Sequence, residues 1–183
     1  MIDLFLGFLL ILILFLPILC VSILVKLTSK GPVIFWSDRI GINNTTFRMP
    51  KFRTMFVDTP QVATHLLKNA SNNVTRLGVT LRSLSIDEFP QLYSILKGDM
   101  SLIGPRPALF NQFDLIELRT KSNVHLITPG LTGWAQISGR DELSIEEKVV
   151  LDKEYLDSMS LSFDLKILLV TALKVIRRKE ISH

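Results

Sequence analysis

The chain has 183 residues, 48% of them hydrophobic, and carries a formal net charge of +4 at pH 7. Its one cysteine, Cys20, excludes an intrachain disulfide. With no nucleic-acid-binding motif in view, a basic chain this apolar points to anionic lipid and phosphorylated ligands, and its length to one compact domain with an appendage.

The appendage comes first. Ile2 to Val25 reads IDLFLGFLLILILFLPILCVSILV, and as a helix rising about 1.5 Å per residue it would cross a hydrocarbon core of about 30 Å. No basic segment precedes it and no small-residue cleavage site follows, so residues 1–27 read as a retained anchor and not as a secretory signal. Lys26, Lys30 and Arg39 follow the run and no Lys or Arg precedes it, which predicts a cytoplasmic position for residues 28–183. Pro17 interrupts the run. A helix-interior proline removes a hydrogen bond and clashes with the preceding turn, so either a kinked span or a re-entrant hairpin is expected, and residue physics leaves both open.

Next, the short β-prone runs VIFW and TTFRM flank GINN, the pattern of a small hairpin. Residues 57–75 read as an irregular polar loop with a short helix around His65. SIDEFPQLYSILKGD reads as a helix stopped by Gly98, ALFNQFDLIELRTK as another, and SIEEKVVLDKEYLDSM as a third, opened by a Ser144–Glu147 capping box. The last, SFDLKILLVTALKVIRRKE, is either an interfacial amphipathic helix or a core helix with a basic end.

The chemistry candidates centre on LRSLSIDEFPQL. Asp87 and Glu88 stand side by side, and Ser85 with Glu88 also fits a capping box, so the pair reads either as helix-start chemistry or as a reactive acid pair. Arg82 precedes it, and GPRPAL places Arg106 between two prolines that stiffen its loop. Carboxylates for a hard cation, two guanidinium forks and a helix start together suit phosphoryl transfer from a nucleotide-linked donor. Lys51 and Arg53 alternate on a strand and are either substrate contacts or solvated charge. PGLTGWAQISGRDE carries Gly130, Gly133 and Gly139 and ends near Arg140; its glycines suit ligand approach or plain turns. His65 and His125 have no metal-ligand spacing and read as structural or exposed.

KFRTM, LRSLSIDEFPQLYSILKGDMSLIGPRPAL, PGLTGWAQISGR and FDLKILL, in that order, resemble the bacterial sugar transferase family, the small monotopic phosphoglycosyl transferases. The resemblance covers nearly the whole chain. It implies an α+β, predominantly helical fold with an N-terminal re-entrant membrane hairpin broken near Pro17, amphipathic interface helices and a small β-hairpin element. It further implies transfer of a phosphosugar from a UDP-sugar to polyprenyl phosphate with release of UMP, the first membrane step of glycoconjugate assembly at the bacterial inner membrane. Asp87 matches the family's nucleophile, with Mg²⁺ held beside it, and Glu88 its catalytic partner, which orients Asp87, assists with the metal or accepts a proton from the polyprenyl phosphate. Arg82, Arg106, Lys51, Arg53, Gln91 and Arg140 are the positions assigned to substrate. An N-acetylated hexose donor is expected from the likeness of GRDEL to members that use such donors, and downstream glycosyltransferases are candidate partners. Two departures bear on anchor depth: no basic residues precede Ile2 and Asp3, and Leu16 stands where the family often has serine. A membrane-bound phosphohydrolase and a non-catalytic scaffold are the rival readings.

Overall fold

The computed structural model describes residues 2–59, 73–139 and 142–177. It is mostly helical with two small two-stranded sheets, in line with the expected class. The chain folds as two compact units, one from the described residues of 1–37 and 48–96, the other from those of 38–47 and 97–180.

The first unit begins with α1, Ile2–Thr28, which is helical through Pro17. Its backbone therefore keeps one secondary structure where a break was expected. Among the described residues α1 is the one helix long and apolar enough to cross a membrane. Its surface is divided. Gly7, Val21 and Val25 are buried, whereas Leu12, Ile13, Phe15 and Leu16 are exposed. Val21 and Val25 form a core with Phe52 and Leu81, and Ile18, Val33, Ile34, Leu77, Ile86 and Phe89 pack around it. Gly7 lies against Ile95, close enough that an added Cβ would sit 3.3 Å from its Cγ2.

The expected hairpin is present: β1, Ile34–Ile40, pairs with β2, Thr46–Phe52. Asn43 and Asn44 turn it with φ of 54° and 58°, a left-handed conformation that short polar side chains tolerate. α2 follows at Arg76–Ser83, capped by the Thr75 hydroxyl, which accepts from Gly78 N at 2.9 Å. The expected helix from Ser85 onward is two pieces, a 3-10 turn over Ile86–Gln91 and α3 over Leu92–Lys97. Gly98, at φ 88°, stops the second.

In the second unit β3, Ser101–Ile103, runs parallel to β4, Gly130–Thr132, with Ser101 opposite Gly130 and Ile103 opposite Thr132. Glycines make this seam possible. A Cβ on Gly130 would lie 2.1 Å from Gly104 N, and one on Gly133 would lie 2.1 Å from Gly104 O. α4, Phe113–Lys121, α5, Trp134–Ser138, α6, Ile145–Ser158, and α7, Leu161–Arg177, complete it. Ala108, Leu115 and Val149 form a core cluster with Ile40, Ile116, Leu118 and Ile145 around it. The Ser144–Glu147 capping box is made in both directions. α7 buries Ile167 but exposes Leu161, Leu165, Leu169 and Leu173, one residue in four, so it is not a helix enclosed on every side.

Candidate active site

Asp87 and Glu88 owe their placement to the 3-10 turn. Its three-residue repeat puts Ile86 and Phe89 on one face, and both pack against the Val21, Val25, Phe52 and Leu81 core. The acidic pair is thereby turned to other faces, with Asp87 8% exposed. Ser85, immediately before the turn, has φ 55° and ψ 20° and makes no side-chain cap. The capping-box account of the pair is therefore overturned: a left-handed residue lacks the extended backbone from which an N-cap hydroxyl reaches the turn. The carboxylate of Glu88 accepts instead from Lys51 Nζ at 2.8 Å, with both side chains largely shielded from solvent.

Arg82 stands in the last turn of α2, on the same unit. Its Nε donates to Thr54 Oγ1 at 2.9 Å. Burial lowers the guanidinium below its ordinary value, and the nearby charge of Asp87 opposes that fall. One acid and one guanidinium thus share a partly desolvated place. Thr54 is held in turn, since its carbonyl accepts from Thr75 N at 2.9 Å and Gly78 packs so closely that a Cβ there would lie 2.1 Å from that oxygen.

Lys51 and Arg53, expected on one face, do different jobs. Lys51 joins the acidic pair, while Arg53, 5% exposed, donates through Nη2 to Ser29 O at 2.9 Å and Ser29 Oγ at 2.7 Å. Arg53 therefore holds the chain just past α1, where a cation also suits the helix's negative end. Gln91 is 1% exposed, and its Nε2 finds no hydrogen-bond acceptor among the described residues. Arg140 lies outside the described residues, as does His65.

Arg106 belongs to the second unit, on a segment gripped at four consecutive carbonyls. Pro105 O accepts from Gly130 N at 2.9 Å and Arg106 O from Arg119 Nη1 at 2.7 Å. Pro107 O accepts from Arg39 Nη1 at 3.1 Å and Ala108 O from Ile40 N at 3.0 Å. The prolines alone do not fix this loop. Arg119 is itself anchored by Asp152, whose Oδ2 accepts from Nη2 at 2.6 Å and Nε at 3.0 Å. Burial raises the Asp152 carboxyl above the usual carboxylate range against the pull of Arg119 and Lys148. Neither residue stood out in the sequence, because their spacing carries no motif. Of the glycines around Trp134, Gly130 and Gly133 pack against Gly104 at the β3–β4 seam, and Gly139 lies against Leu143. His125 lines a cavity of about 30 Å³ with Asn44 and Arg119.

The bacterial sugar transferase profile matches residues 1–178. The chain belongs to the bacterial sugar transferase family. Among relatives of this family, the uncharacterized sugar transferase EpsL of Bacillus subtilis (strain 168) is 44% identical over 154 residues, covering 83% of this chain and 74% of that protein. The UDP-glucose:undecaprenyl-phosphate glucose-1-phosphate transferase of Escherichia coli (strain K12) is 42% identical over 179 residues, 90% of this chain and 37% of that one. The UDP-N-acetylgalactosamine-undecaprenyl-phosphate N-acetylgalactosaminephosphotransferase of Aeromonas hydrophila is 39% identical over 161 residues, 84% and 37% respectively. The chain thus spans most of EpsL but little more than a third of the two longer sugar transferases.

Proposed function

We propose that this sugar transferase moves a phosphosugar from a UDP-sugar to polyprenyl phosphate through a covalent Asp87 intermediate. The observation that carries the reading is the site of Asp87: shielded, charge-coupled to Arg82, and beside a Glu88 already occupied by Lys51. In the first step an Asp87 carboxylate oxygen bonds to the sugar-bearing phosphorus. The bond from that phosphorus to the bridging oxygen breaks, and UMP leaves with the electron pair. In the second step a phosphate oxygen of the polyprenyl acceptor bonds to the same phosphorus and the acyl phosphate bond breaks, which frees Asp87 and yields the polyprenyl diphosphosugar. A carboxylate attacks a dianionic diphosphate slowly unless cations screen it, and Arg82 supplies one such charge.

The donor set also fits Mg²⁺. No group of three or more His, Cys, Asp or Glu side chains suited to a metal occurs among the described residues, but this ion commonly takes one or two carboxylates and completes its shell with water and substrate phosphates. Asp87 would hold it, and it would neutralise diphosphate charge. With Glu88 committed to Lys51, Glu88 acts chiefly on the charge and orientation of its neighbour.

We place the enzyme at the cytoplasmic membrane with α1 re-entrant, entering and leaving by one face. Gly7 near one end of α1 and Val25 near the other both pack within the first unit, while exposed apolar side chains from Phe5 to Leu27 give the helix a lipid-facing surface along its length. The leucine row of α7, flanked by Lys166 and Lys174, suits the headgroup layer. Relatives are named for glucose and for N-acetylgalactosamine donors, and an N-acetylated hexose remains our choice here.

Incubating the membrane-bound protein with UDP-sugars, Mg²⁺ and polyprenyl phosphate should release UMP, and donor alone should leave a phosphosugar on Asp87, seen by intact mass. Asp87→Asn should abolish both. Full turnover by that variant would refute the covalent route, and UMP release by water without any lipid or adduct would favour a phosphohydrolase.

A further inference from the structure

We infer that Thr54 is a positioning residue that presents the Arg82 guanidinium to a diphosphate. The inference rests on the transferase reading for its substrate but on local geometry for its substance.

Arg82 has five N–H donors in a planar fork. Among the described residues its hydrogen bond is made by Nε alone, to Thr54 Oγ1 at 2.9 Å. Spending Nε on a fixed acceptor sets the plane of the guanidinium and leaves the two Nη groups, the edge best suited to a bidentate anion, for a ligand. Thr54 can act as a fixed point because it is 6% exposed and held through its own backbone: Thr75 N donates to its carbonyl at 2.9 Å, and Gly78 packs against that same oxygen. Thr75 caps α2 and Gly78 stands in its first turn, and Arg82 lies in the last turn of the same helix. A single residue therefore grips α2 at its first turn by a carbonyl and at its last by a hydroxyl. Asp87 supplies the reason for such control. A long, loosely held arginine would fold onto that carboxylate and neutralise it, whereas one pinned at Nε can lie alongside it and still face a phosphate.

Nothing in this arrangement needs the hydroxyl for packing, so the test separates the hydrogen bond from the shape. Thr54→Val keeps the branched side chain and loses the acceptor; Thr54→Ser keeps the acceptor and loses a methyl. Using UDP as the probe with the detergent-solubilised full chain, Thr54→Val should weaken binding about 10–100-fold, the loss expected when a misplaced Arg82 forfeits one charged hydrogen bond to the diphosphate. Thr54→Ser should bind UDP as the native protein does. The KM for the UDP-sugar should rise in parallel in Thr54→Val, with the protein still folding cooperatively. Should valine cost the fold, Thr54→Ala against Thr54→Ser carries the same comparison. Equal UDP affinity in native and Thr54→Val proteins would overturn the inference, as would a serine variant as weak as the valine one. If the native protein releases no UMP from any UDP-sugar and Thr54→Val still loses UDP affinity, the transferase reading fails and the positioning role stands.

Discussion

Buried charge is the residue-scale theme, and Asp152 is its sharpest case. Its carboxylate meets Arg119 through two N–H donors on a single oxygen, and Arg119 passes a third to the carbonyl of Arg106. Removing one partner of a shielded pair leaves the other desolvated and uncompensated, a loss of about 3–5 kcal/mol. Asp152→Ala should therefore lower the unfolding midpoint by many degrees, measured by thermal denaturation in detergent. A change of a degree or two would show the pair to be dispensable. The same residues mark what a sequence can and cannot reveal. Asp87, Glu88 and the prolines around Arg106 are legible because their neighbours in the chain are their neighbours in chemistry. Thr54 and Arg82 are 28 positions apart, and Arg119 and Asp152 are 33 apart, so nothing local advertises either contact. Ser85 misled in the opposite way: its residue type says cap, and only its positive φ says otherwise.

At the scale of elements, strong local signals came through and weak ones did not. The hairpin with its two left-handed asparagines, the α3 stop at Gly98 and the capping box of α6 follow from short-range turn and cap chemistry. The β3–β4 pair was illegible because three-residue strands show no period, and their closeness depends on glycines from two distant segments. α2 escaped notice because its apolar face of Leu77, Gly78 and Leu81 is only two turns long and follows a polar stretch. The α6 cap allows a pH test. Glu147 accepts from Ser144 N at 2.7 Å, and that bond, with the Ser144 hydroxyl, holds its carboxyl below the ordinary range. A carboxyl depressed in the folded state contributes stability above its unfolded value, and loses it as pH falls through the lowered value. Thermal unfolding followed from pH 6 down to about pH 3 should show that increment disappear, and Glu147→Gln should remove it at every pH. Ser144→Ala should cost about 1 kcal/mol at neutral pH. A variant that unfolds identically across the range would show the cap to be idle.

For the molecule as a whole, the question is how α1 meets the bilayer. A re-entrant α1 puts both of its ends on the cytoplasmic side, whereas a straight span separates them. With Cys20 replaced by serine, a cysteine added ahead of Met1 and another at Lys30→Cys should both react with a membrane-impermeant maleimide in inside-out vesicles. Reaction at position 30 alone would mean that the helix crosses. The burial of Val21 and Val25 against Phe52 and Leu81 has a practical corollary for anyone hoping to prepare a soluble enzyme. Cutting the chain after the apolar run would not simply free a catalytic body from its tether. It would strip Val21 and Val25 from their core and wet the aromatic and aliphatic surface of Phe52, Leu81, Ile86 and Phe89 beside Asp87, so lipid or detergent has to accompany the protein through purification.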